Sequence, residues 1–154
     1  MPYDISSILD KGIVVKKCRP RYGIGATIEK IKSANGVVQI FDASSIISVE
    51  HIILAYANAV LSFMERRNRS KSIGMEMMCY AALTMQIEKA IEICGAHSND
   101  MVLFADGKDA YKSVERLFTH ISDLKGANKK AYKKLGVKSI EELAEKMALL
   151  SISD

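Results

Sequence analysis

Tryptophan is absent from this 154-residue chain and aromatic residues make up only 6% of it, so an extended platform for stacking successive bases is not available. Long apolar runs are missing too. Nothing near the N-terminus reads as a secretion signal, and no later segment approaches the ~20 uninterrupted apolar residues of a membrane-spanning helix. Cysteine is sparse and odd in number. Cys18, Cys79 and Cys94 stand far apart and outside any Cys-x-x-Cys pair, which argues against a disulfide framework or a zinc site and for a reducing, cytoplasmic setting. Catalytic motifs are lacking as well. His51, His97 and His120 are isolated, and neither a Walker loop nor a Gly-x-Ser-x-Gly elbow occurs. Gly23 and Gly25 make a lone Gly-x-Gly without the third glycine of a phosphate loop. Intrinsic catalysis, a cofactor and a metal are therefore not expected. If the chain were a small-molecule enzyme, its pocket would be sought near Asp42 and His51.

Acid is what one stretch conspicuously lacks. Residues 66–71 carry four cations in six positions, Arg66, Arg67, Arg69 and Lys71, with no carboxylate among them. They lead directly into an apolar helical segment. Arginine forks suit phosphate oxygens, and the free N–H groups at a helix start favour the same anions. The junction is read as facing an anion, most naturally an RNA backbone. Two further patches are basic: residues 11–32 hold seven cations against Glu29, and residues 125–138 hold six cations and no acid. Between them, residues 72–109 are acidic overall, so different faces are expected to meet different partners. The low aromatic content points to a short single-stranded end held by a few phosphate contacts.

Periodicity supplies the frame. Short β-branched runs predict strands over 12–16, 22–32 and 37–41, with Asn35-Gly36 as a hairpin turn before the last. Asp42 to Ser45 reads as a strand end with capping oxygens. Ile52, Ile53, Tyr56, Val60, Phe63 and Met64 recur at three and four and predict a helix from Ser48 to Met64, with His51 a surface or capping residue of its first turn. A second helix starts near Ser70 or Ser72, where Met75, Met77 and Met78 read as core. A third, carrying Ile87, Ala90, Ile91 and Cys94, is closed by Gly95 in the left-handed conformation. A buried strand over 101–105 precedes a helix with Val114, Leu117, Phe118 and Ile121 on one face. Ser139 and Glu142 form a capping box ahead of a last helix. The expected fold is α/β, a mixed β-sheet packed with helices. It forms a single domain over residues 1–124 with a lysine-rich helical extension, 125–154, packed on it.

The residues Asn68-Arg-Ser-Lys-Ser72, Glu76 and Thr84-Met-Gln-Ile-Glu-Lys-Ala-Ile-Glu-Ile-Cys-Gly95, with the Ile40–Ala43 strand end and the His51 helix, resemble the small regulatory subunit of the KEOPS complex, the PRPK-binding protein family. The resemblance covers about residues 36–105. It implies a non-catalytic subunit that binds the small atypical kinase of the complex and the single-stranded 3′ CCA end of tRNA, supporting N6-threonylcarbamoylation of the adenosine beside the anticodon. Carried onto this chain, it implies Arg66, Arg67, Asn68, Arg69 and Lys71 at phosphate and sugar, with Thr84 and Gln86 near the terminal bases. Lys129, Lys130 and Lys133 would add attraction to the tRNA body. DNA and membranes are not implied as partners. One departure stands out: many family members carry arginine before Gln-Ile where this chain has Met85, so any charge supplied there must come from elsewhere. A protein adaptor that binds the kinase without touching RNA is the other reading left open.

Overall fold

A computed structural model describes residues 12–152. The first strand, β1 (Val14–Pro20), is followed by α1 (Ile24–Ile31), β2 (Val38–Asp42), α2 (Val49–Met64), α3 (Ile73–Ala82) and α4 (Ile87–Cys94). The chain continues through β3 (Met101–Ala105), α5 (Lys108–Val114), β4 (Phe118–Asp123), α6 (Lys129–Leu135) and α7 (Ile140–Ile152). By internal contacts these fall into two compact units: residues up to 43 together with 96–125, and residues 44–95 together with those from 126 onward.

The first unit is a sheet with strand order β2-β3-β1-β4. Every described pairing is antiparallel, where a mixed sheet was expected. A helical excursion between two strands permits either direction, so the order of elements alone did not decide this. All five residues of β3 are buried, in keeping with their unbroken apolar run. Cys18 of β1, Ile40 of β2, and Met101 and Leu103 of β3 form one core cluster with Ile31 of α1 and Val114 of α5.

Three local expectations fail here. Residues 22–32 are not a strand: α1 buries Thr27 and Ile31, four apart on one helix face, while Ile28 stays exposed. The Ile24, Ala26, Ile28 alternation was a coincidence within a 3.6-residue period. Asn35-Gly36 consequently joins α1 to β2 and closes no hairpin. Gly36 is required there all the same, because its φ is +135° and a Cβ would lie 2.6 Å from an Asp106 carboxylate oxygen. The helix expected through Phe118 and Ile121 ends at Val114. A short 3-10 turn (Glu115–Leu117) then hands the chain to the edge strand β4, with Phe118 buried and Ile121 exposed.

The second unit is helical. α2 packs against α3, α3 against α4, and α7 against α2. Nearly the whole surface of α3 is buried, from Glu76 to Ala82, including Met77 and Met78. The capping box of α7 forms: the Glu142 N–H donates to Ser139 Oγ at 3.1 Å, and Glu142 Oε2 accepts from Lys138 N–H at 3.0 Å, one residue before the expected donor. Gly95 is not left-handed but extended, with φ −65° and ψ 155°. It is needed because a Cβ there would collide with the Ile91 carbonyl oxygen. Gly95→Ala is expected to destabilise the protein by about 2 kcal/mol through this backbone clash, read as a lower urea midpoint at unchanged slope.

His51 is fully buried, so the surface role fails, while its ring does accept a backbone N–H at the helix start. The Ile47 N–H donates to Nδ1 at 3.0 Å, so Nε2 carries the proton and donates to the Ala81 carbonyl at 3.0 Å. Both nitrogens are thereby occupied, and burial pushes the imidazole pKa down from 6.5 to about 4. The unfolded chain takes up this proton near pH 6.5 and the folded chain only near 4. Stability should therefore fall as pH drops through that window, by about 3 kcal/mol in all. Urea unfolding of the wild type and His51→Gln between pH 7 and pH 4 checks this, since the variant should lose that part of the slope.

Candidate nucleic-acid interface

The basic stretch begins where α2 ends. Arg66 takes the left-handed conformation, φ 56°, and the two bonds of a Schellman motif close around it. The Arg66 N–H donates to the Phe63 carbonyl at 3.1 Å and the Arg67 N–H to the Ser62 carbonyl at 2.7 Å. Glycine is the usual residue at such a position. A side chain there costs roughly 1–2 kcal/mol in principle, partly offset by a cation's attraction to the negative helix end.

A single carboxylate builds the rest of the turn. Glu76, in the first turn of α3, is fully buried. Its oxygens accept the Ser62 hydroxyl at 2.6 Å, the Arg69 N–H at 3.1 Å, the Ser70 N–H at 3.0 Å and the Ser70 hydroxyl at 2.8 Å. The Asn68 amide donates to the Ser70 carbonyl at 2.9 Å. Ser72 then caps α3 by accepting the Met75 N–H at 3.2 Å. The basic segment is thus a defined turn whose backbone is pinned from below, leaving Arg66, Asn68, Arg69 and Lys71 exposed above. Internal groups, Ser72 and Glu76, already use part of the positive end of α3, so that end is less open to an outside anion than the sequence implied.

The predicted residues do not all converge. The Arg67 guanidinium pairs with the Glu65 carboxylate and donates to the Ser151 carbonyl at 2.9 Å. The hydrogen bond to the Glu65 carboxylate, with that group's charge, holds its pKa above the usual arginine value. The guanidinium expected at phosphate is therefore already paired within the chain. Arg69 and Gln86 do meet: with Met85, Ile87 and Lys89 they line an open cleft of about 610 Å³, together with Glu88 and Glu92. Lys89 was missed by sequence reasoning, and it lines the same cleft as Met85, where an arginine was expected. Thr84 accepts the Gln86 N–H at 3.2 Å, shaping the start of α4, and its side chain belongs to the wall of a different groove. Lys129, Lys130 and Lys133 are exposed on α6 and line neither cavity.

Other candidates are structural. Asp42 is nearly buried, and its Oδ1 accepts the His97 N–H at 3.4 Å, the Ser98 N–H at 3.2 Å and the Ser98 hydroxyl at 3.0 Å. It caps the 97–98 turn. The three cysteines are buried thiols, and burial pushes Cys18 up to about 12 and Cys79 up to about 11, away from nucleophilic use. Among the described residues no cluster of histidine, cysteine and carboxylate has the arrangement of a metal site, and no helix is long and apolar enough to cross a membrane.

Comparison with known proteins adds the family. No curated protein matches the chain. The family of the kinase binding protein CGI-121 matches residues 24–146, most of its length, and this is the PRPK-binding family that the Asn68–Ser72 and Thr84–Gly95 segments resemble. The chain belongs to the CGI-121 kinase-binding protein family.

Proposed function

We propose that this kinase-binding protein is a non-catalytic, tRNA-binding subunit of the KEOPS complex. It would grip the single-stranded 3′ CCA end of tRNA and bind the small atypical kinase, supporting N6-threonylcarbamoyladenosine formation in the cytoplasm. Phosphates and sugars would meet Arg66, Asn68, Arg69 and Lys71, with Gln86 beside the terminal bases. Thr84 acts through the conformation of the 84–86 segment, and Lys129, Lys130 and Lys133 attract the tRNA body. The observation that carries the reading is Arg66 at φ 56°: a long cation stands where glycine is the unstrained choice. Strain of this kind is held in place by the surrounding structure and clusters at functional sites.

The test compares intact tRNA with tRNA trimmed of CCA, titrated against the protein at several salt concentrations. Affinity for intact tRNA should fall steeply with salt, and trimming should weaken it. Arg66→Gly should bind tRNA more weakly while matching or exceeding wild-type stability, by up to about 1 kcal/mol. Equal affinity for trimmed tRNA would remove the CCA assignment. No salt-dependent binding at all would leave a kinase adaptor.

A further inference from the structure

One side chain ties the last turn of α7 to the basic turn. Arg67 Nη1 donates to the Ser151 carbonyl at 2.9 Å, while Nε donates to the Glu65 carboxylate at 3.0 Å and Nη2 pairs with the same oxygen. The Tyr80 hydroxyl is a further neighbour. Arg67 thus belongs to the cation cluster in sequence, yet it directs its charge at a helix end 84 residues further along. A third of its side chain, 33%, is exposed. The guanidinium needs only new partners, and no refolding of the chain, to face an outside anion.

Both ties are of a kind that opens. A carbonyl in the last turn of a helix has no intrahelical donor, and the negative helix end attracts a cation, which explains why the guanidinium settles on Ser151. Burial fixes the middle of α7 and not its end. Leu143 and Met147 are completely buried, whereas Leu149 is 61% and Ile152 78% exposed. A helix end with few buried contacts opens at low cost. The Glu65 pair is partly exposed on both sides, so water and salt screen it and a phosphate can displace the carboxylate.

We infer that the end of α7 restrains the RNA-binding turn by withholding Arg67. With the last turn of α7 closed, the basic turn presents Arg66, Arg69 and Lys71; with it open, the turn gains a fourth cation. The inference rests on the RNA reading above and adds regulation to it. An event that unwinds residues 151–152 strengthens RNA binding, because the fraction of molecules with that turn open sets the apparent affinity. Glu65 is a second restraint on the same guanidinium, supplied from within the basic turn itself.

Two variants of the full chain test it. Ser151→Pro opens the last turn, since proline lacks the N–H, collides with the Met147 carbonyl and disfavours helix at Leu150. Glu65→Gln removes the other tie and leaves α7 intact. Each is titrated with a CCA-ended single strand at several salt concentrations, alone and combined with Arg67→Gln. One added phosphate contact steepens the salt slope by about 0.7 and raises affinity roughly fourfold at 0.15 M salt. Ser151→Pro should show that gain and lose it when Arg67→Gln is added, which separates delivery of the guanidinium from a general effect of a loosened helix. Glu65→Gln should likewise gain more than it does in the Arg67→Gln background. Unchanged or weaker binding by both variants, or gains that survive Arg67→Gln, would overturn the inference alone, provided that wild type binds and Arg66→Gly weakens it. A wild type without salt-dependent binding would overturn the RNA reading and this inference with it.

Discussion

Glu76→Ala is expected to destabilise the protein by about 4 kcal/mol and to loosen the basic turn. Three residues lose their acceptor at once: the hydroxyl of Ser62, the N–H of Arg69, and the N–H and hydroxyl of Ser70. A hydrogen bond to a charged group contributes about 1.5–3 kcal/mol, and a buried donor left alone costs a further desolvation penalty. The full sum is not reached, because residues 66–69 lie at the surface and water can enter once the carboxylate is gone. Glu76→Gln keeps the shape but turns an NH2 donor toward other donors, so it should lose roughly half as much. Chemical denaturation measures both. Amide exchange at Arg69 and Ser70 should accelerate before the helices open, which separates loosening of the turn from global unfolding. A loss below about 1 kcal/mol in Glu76→Ala would mean that the turn holds itself by other contacts.

Reversing the turn's exposed charges should act chiefly on binding. The triple change Arg66→Glu, Arg69→Glu and Lys71→Glu removes three candidate phosphate contacts. For single strands each contact adds about 0.7 to the salt slope, so losing three lowers affinity roughly fiftyfold at 0.15 M salt and flattens the slope by about 2. Charge reversal repels as well, which makes this a lower bound. Arg67 is left out deliberately: its guanidinium is engaged with Glu65 and the Ser151 carbonyl, so changing it confounds binding with folding. Arg67→Ala alone should therefore lower stability modestly and tRNA affinity less than Arg66→Ala does. The comparison needs only a filter-binding titration and a urea curve for each variant.

Much of this arrangement was legible in the residues. The three-and-four spacing from Ile52 to Met64 defined α2, and the unbroken apolar run at 101–105 defined a buried strand. Ser139 and Glu142 announced the start of α7. Short segments were harder. Ile24, Ala26 and Ile28 fit both periods across a single turn, and only burial of Thr27 and Ile31 against the sheet chose the helix. Val114, Leu117 and Phe118 are buried and Ile121 is exposed, because the helical spacing at those positions came from a helix end, a 3-10 turn and a strand in succession.

The candidate site shows the same division. Clustered cations were visible in the chain, but the ion pair that separates Arg67 from Arg66 depends on Glu65 and on Ser151, far away in sequence. Glu76 left one signal that could have been used: a lone carboxylate inside the apolar run from Ile73 to Ala82 belongs either to solvent or to buried donors, and here it is buried. His51 gave less: its contact with the Ile47 N–H is local, four residues away, but the Ala81 carbonyl comes within reach only when α2 and α3 pack.

A carboxylate-built turn that presents Arg66, Arg69 and Lys71 to the free end of an RNA is what we propose. Amide chemical shifts of the isotope-labelled chain, followed during titration with a short single strand ending in CCA, test it most directly. Salt-sensitive shifts are expected, concentrated at residues 66–71 and 84–89 and absent with the same strand lacking CCA. Shifts confined to other surfaces, or identical for both strands, would contradict it.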